Sequence, residues 1–266
     1  MSVVDVNLGF KLLDDLALGV EQECVNASAL SGIRVNRLGP IVEVISLASE
    51  WRQKELAKLD WLCKGDFESM FLDARSLQTR TQQTGTLTGW IAADQFADDT
   101  FWTGFVMRVS AAINSSEFDG RTKKAIMATF GEFRSNVFEH ADVKGAALAA
   151  FHVNGSGFEL TVADQGRGVL ASIRENQNYK TESIDAGHAL KLAVTDGVSR
   201  HDNSQRGYGF THLFKGLANR FNHIRLRSDD YALEVFRENE SAPRERISQK
   251  AHIPGLFVYA QIGRAS

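Results

Sequence analysis

The chain has few cysteines and prolines and no long apolar run. Only two of its 266 residues are cysteine and three are proline. Cys24 and Cys63 are too few for a disulfide framework and lack the spacing of metal ligands, which argues against a zinc site and favours a reducing compartment. The amino terminus has no secretory signal, and no window approaches the run of about 20 apolar residues that crosses a bilayer. We therefore expect a cytoplasmic protein without a membrane partner.

An excess of positive charge is also lacking. The formal net charge is −3, whereas proteins that bind nucleic acids usually carry a basic footprint. A nucleic-acid partner is therefore not favoured, although a local basic patch stays open. With 43% hydrophobic and 24% charged residues, the composition is that of a globular protein, and the length suits one or two domains.

The first hundred residues carry weak patterns. Helical spacing is found in Leu8–Cys24 and Val42–Leu62, a strand-like run in Met70–Asp73, and a polar stretch in Gln78–Gly85 that predicts a loop or boundary. We divide the chain into residues 1–100, whose role the sequence does not determine, and a second domain of residues 101–266. The first region is a small α/β partner-binding domain, a dimerisation element or a set of helices packed on the second domain.

Residues 101–266 carry clearer patterns. The predicted helices are Phe101–Ile113, Arg121–His140, Ala186–Val194 and Phe210–Phe221, and the predicted strands are Ala146–Val153, Phe158–Ala163, His223–Ser228, Tyr231–Arg237 and Leu256–Ile262. Asp229-Asp230 lies between the third and fourth strands. The polar interval Val169–Gln205 is long enough to be a lid or a binding segment. This order predicts an α/β fold, an α+β two-layer sandwich with a mixed, largely antiparallel sheet and helices on one face.

The predicted helix Arg121–His140 has two faces. Its apolar stripe, with intervals of four, three and four, consists of Ile126, Phe130, Phe133 and Val137. Glu132, Asn136 and His140 recur every four residues and form a second, polar stripe. On the helix alone, a solvated face explains these three residues. The alternative is that Glu132 and Asn136, one turn apart, hold a hydrated Mg²⁺ ion and orient a water when phosphates complete the coordination.

A carboxylate followed by alternate glycines ends one predicted strand. Asp164 leads into Gly166 and Gly168, which indicates a carboxylate at the lip of a pocket where the backbone passes closely. A turn of this kind is common in loops, so by itself it is weak evidence.

A second glycine turn, Gly207-Tyr208-Gly209, precedes the helix predicted from Phe210. Bare amides at a helix start suit an anion such as phosphate. A P-loop is excluded because no Gly-x-x-x-x-Gly-Lys-Ser/Thr occurs. A dinucleotide fingerprint is excluded because its third glycine would fall at His212.

These three motifs, in this order, resemble those of the GHKL superfamily of ATPases and kinases. The superfamily includes gyrase, the heat-shock chaperone ATPases, sensor histidine kinases and mismatch-repair proteins. The run from Glu132 to Ala141 is similar to that of the anti-sigma-factor serine kinases and related stand-alone ATP-binding regulators. The resemblance covers roughly residues 101–262 and implies the Bergerat fold, with ATP between a helical layer and a mobile lid.

The resemblance also implies a role for each motif. Asp164 would accept a hydrogen bond from the adenine amino group, with Gly166 in the same turn and Gly168 making room for the base. Asn136 would bind Mg²⁺ and Glu132 would polarise the attacking water or hydroxyl. The residues that would approach phosphate are His140, Gly207, Tyr208 and Gly209.

Three functions stay open at this point. The first is a regulator that binds Mg-ATP and phosphorylates a protein partner or hydrolyses ATP slowly to switch an association. The second is a non-catalytic ATP/ADP-sensing interaction module, and the third makes residues 1–100 the functional half and the ATP site a relic. All seven histidines lie at or after His140, so the sequence offers no acceptor histidine ahead of the ATP domain, and a self-contained histidine kinase is not expected.

Overall fold

A computed structural model describes residues 6–22, 33–35, 37–47, 67, 83–84, 88–92, 94–140, 147–154, 157–175, 179, 183–194, 221–237 and 242–263. The helices in these ranges are α1 (Phe10–Glu21), α2 (Leu38–Leu47), α3 (Asp94–Ala97), α4 (Asp99–Asn114), α5 (Gly120–His140), α6 (Gly168–Ile173) and α7 (Ala186–Ala193). The strands are β1 (Val6–Asn7), β2 (Ile33–Arg34), β3 (Gln83–Thr84), β4 (Thr88–Ala92), β5 (Ala147–Asn154), β6 (Gly157–Asp164), β7 (Phe221–Phe236) and β8 (Arg244–Gly263). None of the described helices is long and apolar enough to cross a membrane.

The main sheet is antiparallel throughout its described pairs. Its strand order is β3-β4-β5-β6-β8-β7, and β1 and β2 form a separate parallel pair. The predicted hairpin between Ala146–Val153 and Phe158–Ala163 is confirmed as β5 and β6, which meet at the pair Asn154 and Gly157. An α/β fold with a largely antiparallel sheet is therefore confirmed.

The long strand β7 folds back on itself at Asp229. The Arg237 amide donates to the Asn222 carbonyl at 2.9 Å, and the His223 ring stacks on Phe236 with the centroids 4.4 Å apart. Asp229 has a φ of 54°, a left-handed conformation that Asp tolerates in tight turns. The two predicted strands are confirmed as the two halves of β7, and both halves pair with β8. The reversal between them was not predicted.

One face of the sheet is covered by α3 to α7. The Phe105 ring of α4 lies 5.5 Å from Phe130 of α5 and 5.8 Å from Phe151 of β5. The predicted apolar stripe of α5 is buried, each side chain being at most 6% exposed: Ile126, Phe130, Phe133 and Val137. Helical periodicity therefore predicted correctly which side of α5 packs on the sheet.

The opposite face is covered by α1 and α2. At Gly39 of α2 a Cβ atom would lie 2.5 Å from the Phe10 ring and 2.6 Å from Tyr259 of β8, so the helix approaches the sheet closely. For the described part of residues 1–100, helices packed on the sheet are therefore what is observed. Residues 88–92, which we assigned to the first region, pair with β5 inside the main sheet.

The described part of the interval Val169–Gln205 is largely helical. It contains α7, as predicted, and most of α6, which the sequence analysis missed. Helix α7 is packed closely, since a Cβ at Gly187 would lie 2.7 Å from the Tyr231 ring. Helix α6 escaped prediction because it is one and a half turns long and its first amides bond to residues distant in sequence. Residues 195–205 lie outside the described part.

Two further predictions need correction, and others lie outside the described residues. Gln83–Thr84, inside a predicted loop, form the short edge strand β3, whose hydrogen bonds come from β4 and leave no local signal. The predicted last strand, Leu256–Ile262, is only the end of β8. The prediction was too short because the first half of β8 is charged and exposed and does not show an alternating pattern. Three predicted segments lie outside the described residues. They are the end of the second predicted helix (48–62), the strand-like run (70–73) and the helix predicted from Phe210 (210–220).

A buried cluster of charged residues joins α1 and α2 to β7 and β8. Its members are Asp14, Glu43, Arg225, Arg227, Glu234 and Lys250. The Arg225 guanidinium lies 2.9 Å from Glu43 Oε2, 2.6 Å from Asp14 Oδ1 and 3.2 Å from Glu234 Oε1. Because Arg225, Asp14 and Glu43 are buried, each charge depends on its partners for solvation.

Candidate functional site

The carboxylate predicted to contact a base lies at the end of β6. Asp164 is only 6% exposed, and its Oδ1 accepts a hydrogen bond from the Gly166 amide at 2.8 Å. Burial raises the pKa of Asp164 to about 6, although hydrogen bonds from the Gly166 and Leu256 amides lower it in part. The carboxylate therefore carries a desolvation cost that a polar ligand would relieve.

A glycine of β8 closes over this carboxylate. Gly255 has a φ of 66°, and a Cβ atom there would lie 2.3 Å from the Asp164 carbonyl and 2.5 Å from Asp164 Oδ1. Glycine is the residue that fits such a backbone and such a contact. Backbone atoms of Gly166 and Gly255 thus lie against the Asp164 carboxylate.

The glycine turn after Asp164 leads directly into α6. Gly168 has a φ of 79°, and its Cβ would lie 2.8 Å from the Ser228 hydroxyl. Ser228 Oγ accepts from the Val169 amide at 2.9 Å and lies 2.8 Å from the Gly255 carbonyl, to which it donates. This serine of β7 therefore connects the two segments that flank Asp164.

A second carboxylate lies beside Ser228. Asp229 is half-buried, and burial raises its pKa, although hydrogen bonds from Ser228 and from the Leu170 amide counteract the shift. The first amides of α6 are thus capped by Ser228 and Asp229 of β7. This arrangement replaces the local side-chain cap that the helix lacks at Arg167.

The polar stripe of α5 lies beside the buried apolar stripe. Glu132 and Asn136 are both half-buried. The Asn136 Nδ2 atom is buried and has no hydrogen-bond partner among the described residues. A buried amide without a partner is costly, so Asn136 is ready to bond with a ligand or water. Asp164 follows Val162 by two residues and therefore points to the sheet face that α5 covers.

The described residues do not form a metal site by themselves. No group of three or more His, Cys, Asp or Glu side chains within them is arranged to hold a metal ion. Glu132 and Asn136 supply two oxygen-bearing side chains one turn apart. This set fits Mg²⁺ only if phosphate oxygens and waters complete the coordination, as is usual for this ion.

The structure brings some predicted site residues together and does not describe others. Asp164, Gly166 and Gly168 form one turn. His140 is the last residue of α5 and its side chain lies outside the described part. The second glycine turn, Gly207, Tyr208 and Gly209, also lies outside it.

Three residues of this site were missed by the sequence analysis. They are Ser228, Asp229 and Gly255, which meet the Asp164 turn across long sequence separations. Asp229 was placed between two predicted strands, which agrees with its position at the reversal of β7. Its contact with α6 has no sequence signal, because it depends on the register of β7 against β8.

Two comparisons with known proteins identify no relative of this chain. A scan against protein-family models finds none that matches the chain, and a search of curated proteins also finds no match. The resemblance to the GHKL superfamily stays a prediction from the residues.

Proposed function

We propose that the chain binds Mg-ATP, with the adenine against the Asp164 turn. The observation that carries the proposal is the Asp164 carboxylate, buried and enclosed by Gly166 and Gly255. A carboxylate accepts a hydrogen bond from the amino group of adenine, whereas guanine presents a carbonyl oxygen at that position. The site would therefore select ATP over GTP.

The remaining parts of the proposed site follow from α5 and the second glycine turn. Asn136 would bind Mg²⁺, with phosphate oxygens and waters as further ligands. Gly207, Tyr208 and Gly209 would contact phosphate through backbone amides, with His140 nearby. When bound, Mg²⁺ would neutralise charge on the phosphates. Glu132 would orient the attacking water or hydroxyl as a general base.

The proposed role is that of a regulator in the cytoplasm. It would phosphorylate a protein partner or hydrolyse ATP slowly to switch an association. The half-buried carboxylate of Glu132, one turn before an Asn136 amide nitrogen that has no hydrogen-bond partner in the described part of the chain, supports a catalytic function. The alternative is an ATP/ADP-sensing module in which binding shifts conformational populations without chemistry.

Glu132 provides a direct test of turnover. We expect Glu132→Ala to lower ATP turnover, or phosphotransfer to a partner, by about 100-fold or more, since general bases contribute about 10²- to 10⁴-fold. Nucleotide affinity should change little because Glu132 acts on the attacking group. The exposed Glu117, mutated to alanine, is the matched control. If the wild type turns over ATP and Glu132→Ala does so at the same rate, Glu132 is not the general base. If the wild type binds ATP without turnover, the sensing module is the correct function.

The preference for ATP over GTP should depend on pH. The ionised Asp164 is the stronger acceptor for the amino hydrogen of adenine, whereas the protonated carboxyl can also donate to the guanine carbonyl oxygen. Burial raises the pKa of Asp164 to about 6, so the ratio of the ATP and GTP affinities should fall as the pH is lowered through 6. Both ligands carry the same phosphates, so phosphate titration cancels in this ratio. Calorimetric titrations between pH 7.5 and 5 measure it, and a ratio that stays constant over this range would contradict the base contact.

A further inference from the structure

Ser228 lies between the two backbone segments that flank Asp164. It is fully buried, at 0% exposure. Its hydroxyl lies 2.9 Å from the Val169 amide nitrogen and 2.8 Å from the Gly255 carbonyl oxygen. One side chain thus connects the start of α6 with the glycine that covers the carboxylate.

The hydrogen-bond roles of this hydroxyl are fixed by its neighbours. An amide N–H can only donate, so Ser228 Oγ accepts from Val169. Its single hydrogen is then available for the Gly255 carbonyl, and Asp229 Oδ2 is a second acceptor at 3.1 Å. A residue without a hydroxyl would remove both of these buried hydrogen bonds, to the Val169 amide and to the Gly255 carbonyl.

Each of the two contacts acts on the Asp164 turn. A Cβ atom at Gly255 would lie 2.3 Å from the Asp164 carbonyl oxygen, 2.5 Å from Asp164 Oδ1 and 2.6 Å from the Gly166 amide nitrogen, so this glycine limits the room for water at the carboxylate. A Cβ atom at Gly168, next to Val169, would lie 2.8 Å from the Ser228 hydroxyl. The position of the Ser228 hydroxyl therefore determines how far Gly168 and Gly255 lie from the Asp164 carboxylate.

We propose that Ser228 is a positioning residue of the nucleotide site, which holds Gly255 and the first turn of α6 around the Asp164 carboxylate. This inference rests on the proposed ATP site and extends it to a residue of β7. Ser228 does not itself contact the nucleotide. It acts through the glycines on either side of Asp164.

The first test measures the Asp164 carboxyl without any nucleotide. Carboxyl NMR titration of the wild type should give a midpoint near 6, the value to which burial raises the pKa of Asp164. In Ser228→Ala, Gly255 is released and water reaches the carboxyl, so the midpoint should fall by about one pH unit or more. Ser228→Thr keeps the hydroxyl and should keep the midpoint. If the alanine variant does not fold, Ser228→Cys, with a weaker donor, should show a smaller fall.

A matched control separates positioning from a general loss of stability. Ser46 of α2 is also buried, and its hydroxyl donates to the Val42 carbonyl at 3.1 Å. Ser46→Ala removes a buried serine hydroxyl away from Asp164, so the midpoint should stay unchanged. A wild-type midpoint kept in Ser228→Ala and in Ser228→Cys would overturn the proposal.

The second test measures the ATP over GTP preference at pH 7.5. In Ser228→Ala this preference should fall about tenfold or more, while Ser228→Thr and Ser46→Ala should retain it. A wild type that binds no ATP would reject the proposed function, whereas the carboxyl titration would still decide the role of Ser228. A wild type that binds ATP, with an unchanged preference in Ser228→Ala, would reject the positioning role alone.

Discussion

Replacing Asp164 with asparagine is expected to weaken ATP binding while making the protein more stable at neutral pH. The amide has only one acceptor oxygen, whereas in the native protein the Gly166 amide already occupies one carboxylate oxygen at 2.8 Å. Loss of a hydrogen bond to a charged group costs about 1.5 to 3 kcal/mol, so the affinity should fall about 10- to 100-fold. Calorimetric titration with Mg-ATP measures this loss.

The gain in stability follows from the desolvation of the carboxylate. The pKa of Asp164 is raised from 3.8 to about 6, so the folded protein binds this proton more tightly than the unfolded chain. The favourable contribution is fully present below 3.8 and is lost as pH rises through 6. At neutral pH both states are ionised and the folded state bears the cost. The neutral amide of the Asp164→Asn variant avoids this cost, and we expect a gain of about 3 kcal/mol.

Urea unfolding at two pH values checks this sign. The difference in the free energy of unfolding between Asp164→Asn and the wild type should be largest above pH 6 and should nearly vanish at pH 4. Asp15 is exposed on α1, and Asp15→Asn is the matched control with little effect at either pH. An Asp164→Asn variant that is less stable at neutral pH and binds ATP normally would contradict both parts of the prediction.

Replacing Arg225 with methionine is expected to cause the largest loss of stability. Arg225 contacts three carboxylates, those of Asp14, Glu43 and Glu234. Removing the cation leaves these charges buried with fewer partners, which typically costs about 3 to 5 kcal/mol. Because Asp14 and Glu43 belong to α1 and α2, amide hydrogen exchange in both helices should increase. Urea unfolding measures the change in the free energy of unfolding.

Arg246 provides the control for this substitution. It lies 2.5 Å from Glu234, but its side chain is 58% exposed, so water can replace it. Arg246→Met should therefore cost less than about 1 kcal/mol. The double variant Arg225→Met with Glu43→Met should recover part of the loss, because it removes an unpaired buried charge. Equal losses in Arg225→Met and Arg246→Met would show that the buried cluster does not hold the helices.

The parts of the fold that follow from local periodicity were predicted from the sequence. Residues 126, 130, 133 and 137 of α5 face the core because a helix has a period of 3.6 residues. Strand alternation and turn residues predicted β5, β6 and the hairpin between them. The short elements β3 and α6 were missed, since two and six residues are too few to show a period and the first amides of α6 bond to β7.

For the candidate site, the sequence by itself determined the residue types and their local elements. Asp164 at the end of a strand, and Glu132 and Asn136 one turn apart on a helix, follow from spacing alone. Only the tertiary structure decided that Gly255 lies against Asp164 and that Ser228 bonds to the segments on either side of it. It also decided that α1 and α2 cover the second face of the sheet, where Arg225 meets Glu43 across 182 residues. The physical reason is that periodicity determines which side of an element is apolar, whereas strand register and helix packing determine which distant residues meet there.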